Sequence, residues 1–530
     1  MKRTLDPDGR LRQAVVAMVW GGVASLSIAA DPAATYAGTT AVAETHLDRC
    51  MAVDWKARGI QPAPPCSDGV FMRRVYLDLC GTLPEAWDVG PFLRDTDPEK
   101  RAKLVDRLLE REEYAQYRAM RWCDVLRVKS EFPINLWPNA VQAYHRWVLE
   151  AMRDNLPYDQ FARELLTSSG SNFRVPPVNF YRAVQGKEPE ALARAVALTF
   201  LCSRLDTWPE DRREGLIGMF SRVAFKGTAE WKEEIVMFDP DVTEGMRGML
   251  PDGTMIDIGR DEDPRQAFAG WLLEGSGQEW FSRAMVNRTW AWCFGKGFVD
   301  EADDIRPENP PVHPAAYEYL AEAFAESGYD VRALFRLIMN SRTYQQSCVP
   351  LNPDEKSMRM FACYPVRRLD AEVLIDALCQ LTGTSERYMS PIPEPFTFIP
   401  ESQRTIELAD GSITSAFLEM FGRPPRDTGR ASERNSKPSD AQALHMLNST
   451  HVQRKIERSF KLRNLLAKAK SQKGAGPVRT IYMAVLSRPP TPEEAKVIGD
   501  YFKTPGINSK QAADDLVWAL VNSKEFQHHH

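Results

Sequence analysis

The densest chemistry in this chain is a run of guanidiniums: Arg423, Arg426, Arg430 and Arg434 stand in one Pro- and Gly-rich stretch, with Glu433 among them. Guanidiniums packed this closely repel unless acids or an anionic ligand neutralise them. Two readings fit equally, an anion-binding loop or an ion-pair network to Asp427, Glu433 and Asp440. A second group surrounds Trp137, where Arg127, Lys129, Asn135 and Asn139 cluster and His145-Arg146 follow on the next helix. An aromatic face beside guanidinium and amide donors suits a sugar, or an anionic group such as sulfate or carboxylate. A core Trp137 and an Arg127 paired with Asp124 explain the same residues structurally, and that reading stands ahead. The stretch Ser168-Ser169-Gly170-Ser171-Asn172-Phe173-Arg174 could cradle an anion on exposed backbone N–H groups. It lacks the Lys-Ser/Thr ending of a P-loop, and a helix cap and loop is the commoner explanation. Asp300-Glu301, Asp303 and Asp304 precede His313. Carboxylates near a histidine suit acid–base chemistry or a hard cation, which makes Asp304 and His313 the catalytic candidates. Helix capping by an aspartate and a helix start at His313-Pro314 are the structural alternative, again ranked first. No Gly-x-Ser-x-Gly elbow surrounds any serine.

Thiols and imidazoles add little metal chemistry. Of nine cysteines, Cys50 and Cys66 flank a short helix-turn unit ending in Pro64-Pro65-Cys66 and form the best candidate disulfide. Cys123, Cys202, Cys293, Cys363 and Cys379 lie in apolar helical stretches and read as buried free thiols. No two cysteines have zinc-ribbon or iron–sulfur spacing. Before the terminal His528-His529-His530 the only histidines are His46, His145, His313, His445 and His451, so no metal site is expected. The terminal triplet is given no functional weight.

The elements that must position these residues read as helices almost throughout. Apolar residues recur at helical spacing in LVDRLLEREEYAQ, LFRLIMNSRTYQQ and LVWALVNSKEFQ. In each, an aromatic (Tyr114, Tyr344, Phe526) stands ten residues after the first leucine, as if folding back over the helix end. The fold expected is mainly α, with two helical lobes at 45–238 and 263–527 and a linker at 239–262. Glu233 to Phe238 and Gly253 to Ile258 are strand-like and flanked by turn residues, which suggests a small β-hairpin joining the lobes. Irregular loops at 130–139, 168–181, 306–314, 390–403 and 421–439 are where a functional surface is most readily built.

A length of 530 residues allows two domains or more, each with a sizeable core. The net charge of −5, without a basic-aromatic stripe, argues against nucleic acid as a partner. Lys2, Arg3, Arg10 and Arg12 precede an apolar run from Ala14 to Ala30 and small residues near Ala30 and Ala37. This is the pattern of an export signal over residues 1–37, with cleavage after Ala30 or Ala37. No stable membrane span is expected once it is removed. The periplasm or cell surface is the expected location.

Several ordered motifs together carry a resemblance. Arg73-Arg74-Val75-Tyr76-Leu77-Asp78-Leu79, Leu126-Arg127-Val128-Lys129, Asn135-Leu136-Trp137-Pro138-Asn139 and Pro157-Tyr158-Asp159-Gln160-Phe161 occupy the first lobe. Val286-Asn287-Arg288-Thr289-Trp290, Asn340-Ser341-Arg342-Thr343-Tyr344, Arg367-Arg368-Leu369 and FGRPPRDTGRASER (421–434) occupy the second. In order and spacing the chain resembles the cytochrome-associated proteins of planctomycetes and verrucomicrobia, built from two paired domains of unknown function. Those relatives run from Arg-Leu-Asp into Cys-x-x-Cys-His, the attachment signature of c-type haem. Here Arg204-Leu205-Asp206 is followed by Thr207, and Arg430-Ala431-Ser432 stands where many relatives carry Cys-x-Cys. The resemblance implies that both thiol motifs served one site between the lobes, and that this chain uses no haem and no other cofactor. It also implies a place in bacterial polysaccharide breakdown beside a sulfatase-like companion, with an anionic or neutral glycan as ligand. The expected role is an accessory or binding protein. The alternative is a glycan-active hydrolase using an inter-lobe Arg/Asp/His cluster, and electron transfer is disfavoured. Arg127, Lys129, Asn135, Trp137, Asn139, Arg146, Arg174, Asn287, Arg288, Arg423, Arg426, Arg430 and Arg434 are the ligand-binding candidates.

Overall fold

The computed structural model describes residues 35–38, 40–471 and 476–530. The apolar run from Ala14 to Ala30, and the cleavage position after Ala30, lie outside these residues. The fold is mainly α, and the strands of the described chain are short. Among the described residues no helix is long and apolar enough to cross a membrane.

The helix Val331–Met339 shows how local sequence sets an element. Asp330 caps its start by accepting the Ala333 N–H at 2.9 Å, and Val331, Leu334, Phe335, Ile338 and Met339 bury one face. Tyr344 then tucks into the core, its N–H donated to Ser341 Oγ at 3.1 Å. Phe526 repeats the device with Ser523 Oγ at 3.2 Å, and Tyr114 is equally buried, its N–H donated to the Arg111 carbonyl. The recurring aromatic is thus a packing element.

Two hydrophobic cores form. The larger draws mainly on residues 47–364; the smaller draws mainly on 369–526, joined by Leu77, Leu83, Tyr117 and Met120 from the N-terminal part. Packing therefore divides the chain near residue 365, because Pro314–Glu326 lies against His46–Ala57 and Val331–Met339 against Lys100–Leu109. Stacked on Phe294 and tilted against Phe298, with centroids 4.2 and 4.1 Å away, Trp290 anchors the larger core.

Both strand-like runs are strands, but they do not pair with each other. β1 (Gly170–Ser171), β2 (Val223–Gly227) and β3 (Glu234–Phe238) form one antiparallel sheet in the order β1-β3-β2. β4 (Met246–Met249) and β5 (Met255–Ile258) close a separate hairpin through Gly253, whose φ of +93° suits glycine. Each run found a nearer partner in sequence, so two small sheets replace the single expected hairpin. β6 (Arg367–Arg368) pairs with β7 (His528–His529), so the terminal histidines are part of the fold.

The helix Asp68–Cys80, buried from Gly69 onward, runs between the two cores. Its polar side chains tie distant segments together. Arg73 donates to the carbonyls of Val485 (2.8 Å) and Phe526 (2.9 Å), and Arg74 to those of Tyr344 (2.5 Å) and His530 (2.9 Å). Asp78 accepts the hydroxyls of Tyr344 (2.7 Å) and Tyr364 (2.9 Å) and the Arg367 guanidinium (2.6 Å). His529 Nδ1 lies 3.1 Å from the same carboxylate.

Cys50 and Cys66 are both free thiols. The expected disulfide is absent because Cys66 turns inward, its N–H donated to the Gln345 carbonyl at 2.7 Å, while Cys50 stays half-buried on the first helix.

Candidate functional site

A cleft of about 920 Å³ lies where Leu201 to Arg212 meets the helix Gln278–Phe294 and the 299–318 segment. Thr207 lines it; it ends a short helical turn (Leu205–Thr207) and donates its hydroxyl to the Arg204 carbonyl at 2.8 Å. Two indoles form an aromatic wall. Trp208 is fixed by its Nε1–H to Ser203 Oγ (2.8 Å) and meets Trp280 edge-on at 5.9 Å, and Trp280 keeps 41% of its surface exposed. Trp280 also meets Trp271 edge-on at 6.2 Å.

Three arginines and two acids, Glu308 and Glu318, line the cleft. Arg212 donates to the Pro251 carbonyl at 3.3 Å, Arg283 pairs with Glu318 at 2.7 Å and with Glu279, and exposed Arg306 lies 3.2 Å from Asp304. Tyr317 donates its hydroxyl to the Arg283 carbonyl at 2.9 Å. The sequence had marked the 306–314 loop only for its Pro and Asn content. Trp208, Arg212, Trp280, Arg283 and Tyr317 carried no motif; the one usable signal was the pair Trp208-Pro209 directly after Thr207.

The 202–204 segment and Ala431 both contact the 301–305 loop. Ile305 donates its N–H to the Cys202 carbonyl (2.9 Å), Arg204 pairs with Glu301, and Ala431 donates its N–H to Asp303 Oδ2 (2.6 Å). Burial pushes the Asp303 carboxyl up, against the pull of Arg288, and burial raises the Cys202 thiol to about 11. Asn287 holds this loop from below, accepting the Val299 N–H at 2.9 Å and donating to the Val299 (3.3 Å) and Ala302 (3.2 Å) carbonyls.

Most sequence candidates prove structural. Asn287 is the loop pin just described. Arg288 donates to the Leu198 and Thr199 carbonyls at the end of the helix Pro189–Leu201, a favourable place for a cation. Buried Arg127 donates to the Ala183 carbonyl (3.0 Å) and lies 5.6 Å over Phe180; burial lowers it to about 10. Its expected partner, Asp124, instead binds Arg426 (2.9 Å) and Arg434 (2.7 Å). Lys129 pairs with Asp427 at 2.6 Å, Asn135 donates weakly to the Pro133 carbonyl, and Asn139 and Arg146 are exposed on the helix Trp137–Arg153. Trp137 is half-buried against Phe396, ring centroids 5.5 Å apart. Arg174 reaches solvent, and its supposed anion loop is instead strand β1 paired to β3.

The arginine-rich loop resolves toward ion pairing, with different acids from those expected. Arg423 faces Glu372 at 3.5 Å, and Arg434 bridges Glu372 and Asp124, both at 2.7 Å. Burial works against the Arg434 charge, but Glu372, Asp370 and Asp124 outweigh it. Glu433 accepts the backbone N–H groups of Asp427 and Thr428. Only Arg430 of the four is exposed, beside Asp303.

Asp304 and His313 serve separate places. Asp304 faces Arg306, whereas fully buried His313 sits 2.9 Å from the Met360 carbonyl and 3.4 Å from Asp54, edge-on to Trp55. Burial lowers its basicity, and it precedes the helix Pro314–Glu326 as a start residue. No group of three or more His, Cys, Asp or Glu among the described residues is placed to hold a metal ion.

Two family comparisons fall on this architecture. Residues 46–205 match PSCyt2, a protein of unknown function (DUF1549), and residues 264–502 match PSD1, a protein of unknown function (DUF1553). The class is thus a two-domain α-helical protein of a paired-domain family. The chain carries both domains of the planctomycete cytochrome-associated pair. No curated protein and no solved structure matches it.

Proposed function

We propose that this chain is an exported accessory protein that binds a polysaccharide fragment in the Trp208–Trp280 cleft and works without haem. The observation that carries the reading is that cleft: two indoles, one of them well exposed, beside Arg212, Arg283 and Arg306. Sugar rings pack on aromatic faces, and guanidiniums favour fragments bearing sulfate or carboxylate groups. A place in polysaccharide breakdown beside a sulfatase-like companion is part of the same proposal. The hydrolase alternative loses its proposed pair, since His313 is sealed in the core away from Asp304.

Tryptophan fluorescence titrated with sulfated, uronic and neutral oligosaccharides tests this. Saturable binding of an anionic oligosaccharide, weakened about tenfold by Trp280→Ala, is the expected result. Binding untouched by that change overturns the site.

Export to the periplasm or cell surface is part of the proposal, with cleavage after Ala30. Tyr36, which cleavage after Ala37 would remove, supports that position over Ala37: Ser67 donates its N–H to the Tyr36 carbonyl (3.1 Å), and the Tyr36 ring meets His530 at 5.4 Å. N-terminal sequencing of exported protein should read from Asp31; a start at Gly38 refutes this cleavage position.

A further inference from the structure

A second polar pocket, of about 500 Å³, opens in the smaller core beside residues 383–388 and 401–404. Its wall holds Cys379, half-buried on the helix Ala371–Thr382. Lys455, from the helix Thr450–Glu457, brings its amine within 3.4 Å of the Cys379 sulfur. The amine is held there by the Ser385 carbonyl (2.6 Å) and the Glu386 carboxylate (3.0 Å), and Glu386 is also 2.8 Å from His451. Cys80 and Cys202, by contrast, are buried thiols whose sulfur faces a backbone carbonyl. Cys379 thus combines an opening to solvent with a fixed amine neighbour. Burial pushes its thiol up to about 11, and Lys455 works against that rise.

We propose that Cys379 and Lys455 form a redox-dependent N–O–S crosslink, with dioxygen as the oxidant. One S–H bond, one N–H bond and the O–O bond break. One oxygen atom bridges nitrogen and sulfur, and the other leaves as water with the two hydrogens. Thiol and amine together supply the four electrons that dioxygen takes up. The extra proton of the lysine ammonium passes to Glu386 and on to solvent. The bridge staples the two helices at the pocket wall, and four equivalents of thiol reductant reverse it, returning amine, thiol and water.

Peptide mapping of the full chain, purified in air and in parallel under anaerobic reducing conditions, tests the assignment. Trypsin should release residues 369–387 joined to residues 455–458, heavier than their sum by one oxygen less two hydrogens. That species should vanish on reduction and in folded Lys455→Arg protein. In reduced protein, cleavage after Lys455 should be restored. Aerated wild-type protein that carries only sulfinic acid at Cys379, or an unmodified thiol even after prolonged oxygen exposure, overturns the proposal.

Discussion

Along the seam between the cores, Arg367, Arg426 and Arg434 are enclosed and each meets a carboxylate within 2.9 Å. At the Trp208–Trp280 cleft, Arg212, Arg283 and Arg306 keep contact with solvent and share looser or surface partners. The same side chain therefore does different work in the two regions. Inside, removing one partner strands a desolvated charge, and the surrounding fold depends on the whole set. At the cleft, screened pairs contribute little to stability, and the guanidiniums stay available to a ligand. Several residues of the motifs that carry the family resemblance (Arg73, Arg74, Asp78, Arg288) are buried on the inner side of this divide. They preserve an architecture.

The largest expected effect breaks the seam at its most connected point. Asp78→Ala leaves Arg367, Tyr344 and Tyr364 without their shared acceptor and should cost about 3–5 kcal/mol, as removing one partner of a buried pair does. Urea denaturation of the two proteins measures it. A loss below ~1 kcal/mol would make the seam no stronger than surface pairing.

A smaller effect comes from acid. Burial opposes the Asp78 carboxylate, yet Arg367 and the hydrogen bonds hold it down to about 2. Its unfolded value is about 3.9. The stabilisation is therefore whole above that value and is lost as pH falls through 2. His529 titrates in a different window. Burial holds its ring down to about 4, against about 6.5 when unfolded. Between those values the unfolded chain binds the extra proton, so stability should fall as pH drops from neutrality toward 4. Half-buried His145, whose ring desolvation also lowers to about 4, adds to the same decline. Denaturation midpoints between pH 7 and pH 4.5 should fall less steeply in His529→Gln; an unchanged slope would remove His529 from the seam's proton balance.

How legible this was in sequence differs between the regions for physical reasons. Helices announced themselves through apolar spacing, as in Val331–Met339, so the mainly α fold could be read directly. Motif order exposed the paired domains. The arginine loop was recognisable as a charge problem, but its solution lay in Asp124 and Glu372, far away along the chain. His529 is a similar case, since nothing local shows that a terminal histidine will pair with β6 and face Asp78. The cleft was hidden more deeply. Trp208 and Trp280 stand far apart in the sequence and form a wall only after folding.

Trp280→Ala sharpens the contrast from the other side. With 41% of its surface already exposed, Trp280 should change folding stability by less than ~0.5 kcal/mol when truncated. The same change should weaken anionic oligosaccharide binding about tenfold, or roughly 1.4 kcal/mol. Thermal unfolding and fluorescence titration on one preparation separate the two numbers. Equal losses in both would turn the indole into a packing residue.

The smallest effect lies at the boundary between the regions. Lys129 and Asp427 meet at 2.6 Å, with side-chain exposures of 12% and 32%, on loops that run from the seam out to the surface. Partial exposure means that the Coulomb attraction is screened and each lost partner can be replaced by water. Lys129→Met should therefore cost no more than about 1 kcal/mol and respond to added salt before the substitution but not after it. Its amine is also committed to Asp427, so oligosaccharide affinity should not change. Denaturation at low and at high ionic strength decides the point. A salt-insensitive loss of 3 kcal/mol or more would extend the buried network to the protein surface, and the divide between an architectural interior and a ligand-ready exterior would have to be drawn further out.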